Sequence, residues 1–109
     1  MAKLTLITLE KLLEMQINKE SFVVVETLDQ EEYDKGHIPG AINIPSAKIA
    51  RLAKEQIDKD QTIIVYCANY ACEASSIAAK KLLDTGYEKV LDFKGGKKAW
   101  TDAGLDLEK

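Results

Sequence analysis

Residues 62–67 of this chain read TIIVYC, an apolar run that ends in a cysteine. The run is too short for a helix, and its β-branched residues are typical of a strand that is buried on both faces. Residues 22–25 read FVVV and have the same character. Residues 90–93 predict a weaker strand, and residues 4–6 and 41–43 predict two short ones.

Helical patterns lie between these strands, because apolar residues recur there at the spacing of one helix face. The four patterns are Leu9, Leu12, Leu13 and Ile17 behind a Thr8 cap; Ile49, Leu52 and Ala53 behind a Ser46 cap; Ala74, Ile77, Ala78 and Leu82 before Gly86; and Ala99, Trp100 and Ala103 before Gly104. Buried strands that alternate with amphipathic helices predict a three-layer α/β domain, with a mainly parallel central sheet and helices on both faces. No linker or repeat interrupts the chain, so we expect a single domain over residues 1–109.

The composition is that of an acidic globular protein. There are 15 Lys and Arg against 18 Asp and Glu, a formal charge of −3, and no basic block. This balance argues against nucleic acid or an anionic membrane as a partner. No apolar run approaches the ~20 residues of a membrane span, and no signal peptide is evident, so we expect a cytoplasmic location. The two cysteines are too few and too close in sequence to staple the domain.

Cys67 stands where the most apolar strand ends, and a loop leads from it into the helix of residues 74–83. Ligands of parallel sheets bind outside the carboxyl ends of the strands. Backbone N–H groups of such a loop, together with the helix N-terminus, stabilise a thiolate and lower the pKa of the cysteine. The position therefore suits a nucleophile, although a free cysteine is also commonly a small buried apolar residue.

Residues 31–45 read EEYDKGHIPGAINIP, which closely resembles the conserved motif of the rhodanese-like domain family. Later segments follow in the order expected of that family: residues 63–67, Ala78-Ala79, Gly86-Tyr87, Val90, Gly95-Gly96 and Trp100. By this resemblance, which covers roughly Leu6 to Gly104, Cys67 matches the family's sulfur-carrying cysteine. The loop after it matches the active-site cradle, formed here by Ala68, Asn69, Tyr70, Ala71, Cys72 and Glu73.

The resemblance implies a rhodanese-type sulfurtransferase that needs no cofactor. In such enzymes the thiolate attacks a sulfane sulfur donor, holds the sulfur as a persulfide and passes it to cyanide or a thiol. The implied partners are a small sulfur-containing anion or a persulfide donor, and a thiol or an acceptor protein. We expect no metal site, since two cysteines and one distant histidine leave zinc short of ligands. In the family, that histidine, His37, belongs to a structural turn.

Three departures from the family bear on activity. Residues 26–28 read ETL where the family usually has Asp-x-Arg, and residues 68–79 contain no cation and one acid, Glu73. Thiosulfate is a dianion, so such a loop suits a persulfide or polysulfide donor better. The loop region is also longer than in common single-domain rhodaneses, as in rhodanese-like phosphatases and arsenate reductases. Those enzymes hold their oxyanion with a loop arginine, whereas the one arginine here is Arg51.

Several roles remain open from the sequence alone. Cys72 could resolve a persulfide on Cys67 by forming a disulfide, or pack as a small residue at the start of the helix. Asn69 tolerates left-handed backbone angles and could in this way turn the loop amides inward, and Ser75 and Ser76 could cap the helix or donate to a bound anion. Three further residues, Lys94, Lys97 and Lys98, lie either at the mouth of the site or on a solvated face. A non-catalytic binding or redox-sensing module is the main alternative to a sulfurtransferase, and a phosphatase or arsenate reductase is a third hypothesis.

Overall fold

A computed structural model describes residues 4–109, which contain one five-stranded, fully parallel sheet. The strands are β1 (Thr5–Leu6), β2 (Val23–Glu26), β3 (Ile42–Asn43), β4 (Ile63–Tyr66) and β5 (Val90–Phe93). Their order across the sheet is β1-β5-β4-β2-β3, so β4 lies at the centre between β5 and β2. The predicted α/β fold is confirmed.

The described residues also form five α-helices. They are α1 (Leu9–Ile17), α2 (Gln30–Lys35), α3 (Ile49–Gln56), α4 (Ala74–Asp84) and α5 (Gly96–Asp102). Successive residues of a strand point to opposite faces, and the central strands accordingly feed two cores. Val65 packs with residues of α3 and α4, whereas Ile64 packs with residues of α1 and α5. Within residues 4–109, none of these helices combines the length and apolar character needed to cross a membrane.

The helix starts differ in part from those predicted. The Thr8 cap is confirmed, because its hydroxyl oxygen accepts the Lys11 N–H at 3.1 Å. The Ser46 cap is wrong: Ser46 opens a short 3-10 turn, Ser46–Lys48, and α3 begins after it without a side-chain cap.

The hydrophobic pattern did not correctly predict two features of the helices. Ile17 is 79% exposed, and Met15 is the residue of α1 buried beside Leu12. Helix α2 was not predicted, because residues 30–35 read QEEYDK and none of them is buried.

Candidate active site

Cys67 follows the central strand directly, and the first turn of α5 holds the backbone there. Its carbonyl oxygen accepts the Lys97 N–H at 3.0 Å, and the Ala68 carbonyl accepts the Lys98 N–H at 2.9 Å. Gly96 permits this approach: its φ is +60°, and a Cβ there would collide with the Cys67 carbonyl oxygen. The peptide that carries the cysteine is therefore held both by strand β4, which it follows, and by the first turn of α5.

The Cys67 thiol is fully enclosed, with 0% of the residue exposed. Its Sγ donates to the Cys72 carbonyl oxygen at 3.4 Å and lies 3.5 Å from the Ser75 hydroxyl. Burial raises the pKa of Cys67, and the hydrogen bond to the Cys72 side chain adds to that rise, while Ser75 opposes it. This closed arrangement favours the neutral thiol.

Asn69 closes the loop over the cysteine. Its side-chain oxygen accepts the N–H groups of Ala71 and Cys72 at 2.9 and 3.2 Å, and its carbonyl accepts the Cys72 N–H at 3.1 Å. Asn69 thus makes a side-chain turn, and its φ is not positive, contrary to expectation. Two of the amides expected to face Cys67 are consequently occupied, and the longer loop covers the thiol.

Cys72 has the amide-rich surroundings that the sequence suggested for Cys67. It is partly exposed. Burial raises the pKa of Cys72, but the Cys67 side chain, the backbone N–H groups of Ala68 and Ala74 and the Lys94 ammonium lower it, and the net shift is downward. Of the two cysteines, Cys72 is therefore the one whose thiolate the fold favours.

The three lysines near Gly95 and Gly96 have separate roles. Lys94 donates to the Cys72 carbonyl oxygen at 2.6 Å and so brings a cation to the cation-free loop. Lys98 pairs with Asp102 at 3.0 Å on the surface. Lys97 turns inward, and only 15% of its side chain is exposed.

Lys97 supplies the positive charge that is missing from residues 26–28. Its Nζ lies 2.9 Å from Oε2 of Glu26, which is wholly buried at the end of β2. The Tyr66 hydroxyl donates to the other carboxylate oxygen at 2.9 Å and accepts the Ile38 N–H at 3.0 Å. Burial, and then the Glu26 charge, raise the pKa of Tyr66. The sequence did not predict this network, because Lys97 of α5 and Glu26 lie 71 positions apart in the chain (97 − 26).

The remaining candidate residues have other contacts. His37 stacks on Tyr33 with ring centroids 3.9 Å apart, and its Nε2 lies 3.4 Å from Oε1 of Glu108. The capping prediction is wrong for both serines: Ser75 lies against Cys67, and Ser76 donates to the buried Asp92 at 3.0 Å.

A groove of about 380 Å³ borders the loop on its outer side. The residues that line it are Asn69, Tyr70, Ala71, Gly95, Lys98, Ala99 and Asp102. Tyr70 is 69% exposed there, and Glu73 is exposed just before α4. Across the part of the chain that the structure describes, His, Cys, Asp and Glu form no group of three that could hold a metal.

Known proteins are similar to this chain in fold and in sequence. The rhodanese-like domain family profile matches residues 8–103. Thiosulfate sulfurtransferase GlpE of Pseudoalteromonas translucida is 37% identical over 87 residues, covering 80% of each chain. YrkF of Bacillus subtilis is 30% identical over 95 residues, 87% of this chain, which spans only 50% of YrkF. The crystal structure of BH2092 from Bacillus halodurans has a TM-score of 0.86 at 30% identity, covering 95% of this chain and 76% of that one. With sequence motif, sheet order and family profile in agreement, this chain belongs to the rhodanese-like domain family.

Proposed function

We propose that residues 1–109 act as one sulfurtransferase domain that carries sulfane sulfur as a persulfide on Cys67. The observation that carries the proposal is the position of Cys67. It lies at the carboxyl end of the central strand, with its carbonyl held by the start of α5. GlpE, a relative over most of the chain, is itself a thiosulfate sulfurtransferase.

The reaction needs two displacements at sulfur. The Cys67 thiolate attacks the outer sulfur of a persulfide R–S–SH, the S–S bond of the donor breaks, and R–S⁻ leaves. An acceptor thiolate then attacks the outer sulfur of the Cys67 persulfide, which restores the Cys67 thiolate. No net oxidation occurs, because the sulfane sulfur only changes its carrier.

A persulfide or polysulfide donor fits the charges of this site better than thiosulfate does. Residues 68–79 contain no cation. Lys97 is paired with Glu26 and Lys98 with Asp102, and Lys94 contacts the loop at the Cys72 carbonyl. A dianion would therefore face one ammonium and the exposed Glu73 nearby. We expect the acceptor to be a thiol or an acceptor protein in the cytoplasm, where thiols stay reduced.

The loop must move before any donor can react. The Cys72 carbonyl and the Ser75 hydroxyl both lie against the Cys67 sulfur, which has no exposed surface. Opening the Asn69 turn would uncover the sulfur and free the N–H groups of Ala71 and Cys72. Those amides could then stabilise the anionic persulfide, as the resemblance implies.

Intact mass spectrometry tests the proposal. The full chain is reduced, desalted and incubated with polysulfide or, separately, with thiosulfate. We expect the chain to gain the mass of one sulfur atom, faster with polysulfide. The Cys67→Ser chain, in which Cys72 is intact, should gain sulfur only at the background rate of the partly exposed Cys72 thiol. Sulfur uptake that continues at the unaltered rate after Cys67→Ser would overturn the assignment.

The enclosed thiol also favours a second candidate, a binding or redox-sensing module without turnover. Cys67 faces a carbonyl oxygen, and burial raises the pKa of its thiol. Such a module would transfer no sulfur to cyanide or to a thiol above the Cys67→Ser background with any donor. Sulfur transfer by the unaltered chain would exclude this alternative.

A further inference from the structure

We propose that Cys72 resolves the Cys67 persulfide: it attacks the Cys67 sulfur, closes a Cys67–Cys72 disulfide and expels hydrosulfide. The step rests on the proposed function, since it requires a persulfide on Cys67. Through this step the domain would release the sulfur as sulfide without passing it to an acceptor.

Cys72 lies against the Cys67 sulfur. Sγ of Cys67 is 3.4 Å from the Cys72 carbonyl oxygen, although five positions separate the two residues in sequence. The Asn69 turn makes this possible, because it reverses the chain and carries Cys72 back over Cys67. Lys94 anchors the same peptide through the Cys72 carbonyl at 2.6 Å. A disulfide forms when movement of this loop brings the two sulfurs to about 2.05 Å.

The surroundings assign different parts to the two cysteines. Cys72 is partly exposed, and the N–H groups of Ala68 and Ala74 face its sulfur, which favours the thiolate that attacks. Cys67 is enclosed at the strand end. The Cys72 carbonyl contacts Sγ of Cys67 at 3.4 Å, and that atom becomes the inner sulfur of the persulfide.

The step balances without an outside oxidant. The thiolate of Cys72 and Cys67–S–SH give Cys67–S–S–Cys72 and HS⁻. The bond between the inner and outer sulfurs breaks, and its electron pair leaves with the outer sulfur. The sulfane sulfur is reduced to sulfide while the two cysteine sulfurs are oxidised to the disulfide. A dithiol reductant must then reopen the disulfide before the next turnover.

A loading experiment separates this step from the proposed function. The unaltered, Cys72→Ser and Cys67→Ser chains are loaded briefly with polysulfide and freed of small molecules by gel filtration. Intact mass and released hydrosulfide are then followed over time without a thiol. A gain of one sulfur at Cys67 in the Cys72→Ser chain would show that this variant is folded and can still form the persulfide.

The expected result is a clear division between variants. The unaltered chain should lose its extra sulfur, end two hydrogens below its reduced mass and release one hydrosulfide per chain. The Cys72→Ser chain should keep its persulfide and release none above the Cys67→Ser background. Equal persistence in the two chains would overturn the resolving role while leaving the proposed function intact, whereas sulfur mapped to Cys72 in place of Cys67 would overturn both. Loading of neither chain would overturn both.

Discussion

Glu26 ends strand β2 with a carboxylate that is wholly buried beside the Lys97 ammonium. A buried charge that loses its partner is strongly destabilising, because the desolvation cost remains without the attraction that offset it. Lys97→Met should therefore lower the free energy of unfolding by about 3–5 kcal/mol. Urea denaturation followed by circular dichroism measures this loss.

Lys98 provides the matched control for that substitution. It is the next residue of α5, and its partner Asp102 is exposed. Surface ion pairs contribute little, so Lys98→Met should cost less than about 1 kcal/mol. Replacing both partners of the buried pair, as in Glu26→Gln with Lys97→Met, should recover part of the stability. Equal effects of the two single lysine variants would contradict the assignment of Lys97 as the counter-ion of Glu26.

At the level of elements, the start of α5 sets the position of the peptide after β4. Gly96 has a φ of +60°, and a Cβ there would meet the Cys67 carbonyl oxygen. Gly96→Ala should lower the free energy of unfolding by about 1–2 kcal/mol, the cost of a left-handed backbone at a non-glycine residue. The new Cβ should in addition displace the Cys67 backbone. We expect sulfur uptake to fall together with stability, as measured by intact mass and by urea denaturation.

Gly104→Ala is the control that separates the cost of the left-handed backbone from the effect of displacing the Cys67 peptide. Its φ is +84°, and a Cβ there would meet nothing within 4 Å. Gly104→Ala should therefore cost only the backbone term, about 1–2 kcal/mol, and leave the rate of sulfur uptake unchanged. If both alanine variants took up sulfur at the normal rate, the contact between α5 and the Cys67 peptide would have no functional role.

The elements differ in how far the sequence could predict them. Strands β2 and β4 were evident because both faces are buried, which leaves a continuous apolar run of β-branched residues. Helix α2 was not evident, since none of its residues is buried. The turn made by Asn69 and the pair between Glu26 and Lys97 were also missed. Each depends on which groups the folded chain brings together, and spacing along the sequence carries no signal for that.

At the scale of the whole molecule, residues 105–109 connect helix α5 to the motif of residues 31–45. Glu108 and His37 exchange two backbone hydrogen bonds, at 2.8 and 2.9 Å. The Trp100 indole N–H donates to the Asp106 carbonyl at 2.8 Å. Two partly buried leucines, Leu105 and Leu107, pack against the core on this face of the sheet.

Deletion of residues 105–109 should therefore destabilise the whole fold while leaving the cysteines in place. Each of these three hydrogen bonds contributes about 1 kcal/mol. Each leucine is only partly buried, and we assign it up to about 1 kcal/mol. We expect a loss of about 3–5 kcal/mol in urea denaturation, by adding these contributions. Glu108→Gln keeps the backbone pairing and removes only the charge beside His37, so it should cost less than about 1 kcal/mol. A truncated chain as stable as this variant would mean that the backbone pairing and the leucines do not hold the segment to the core.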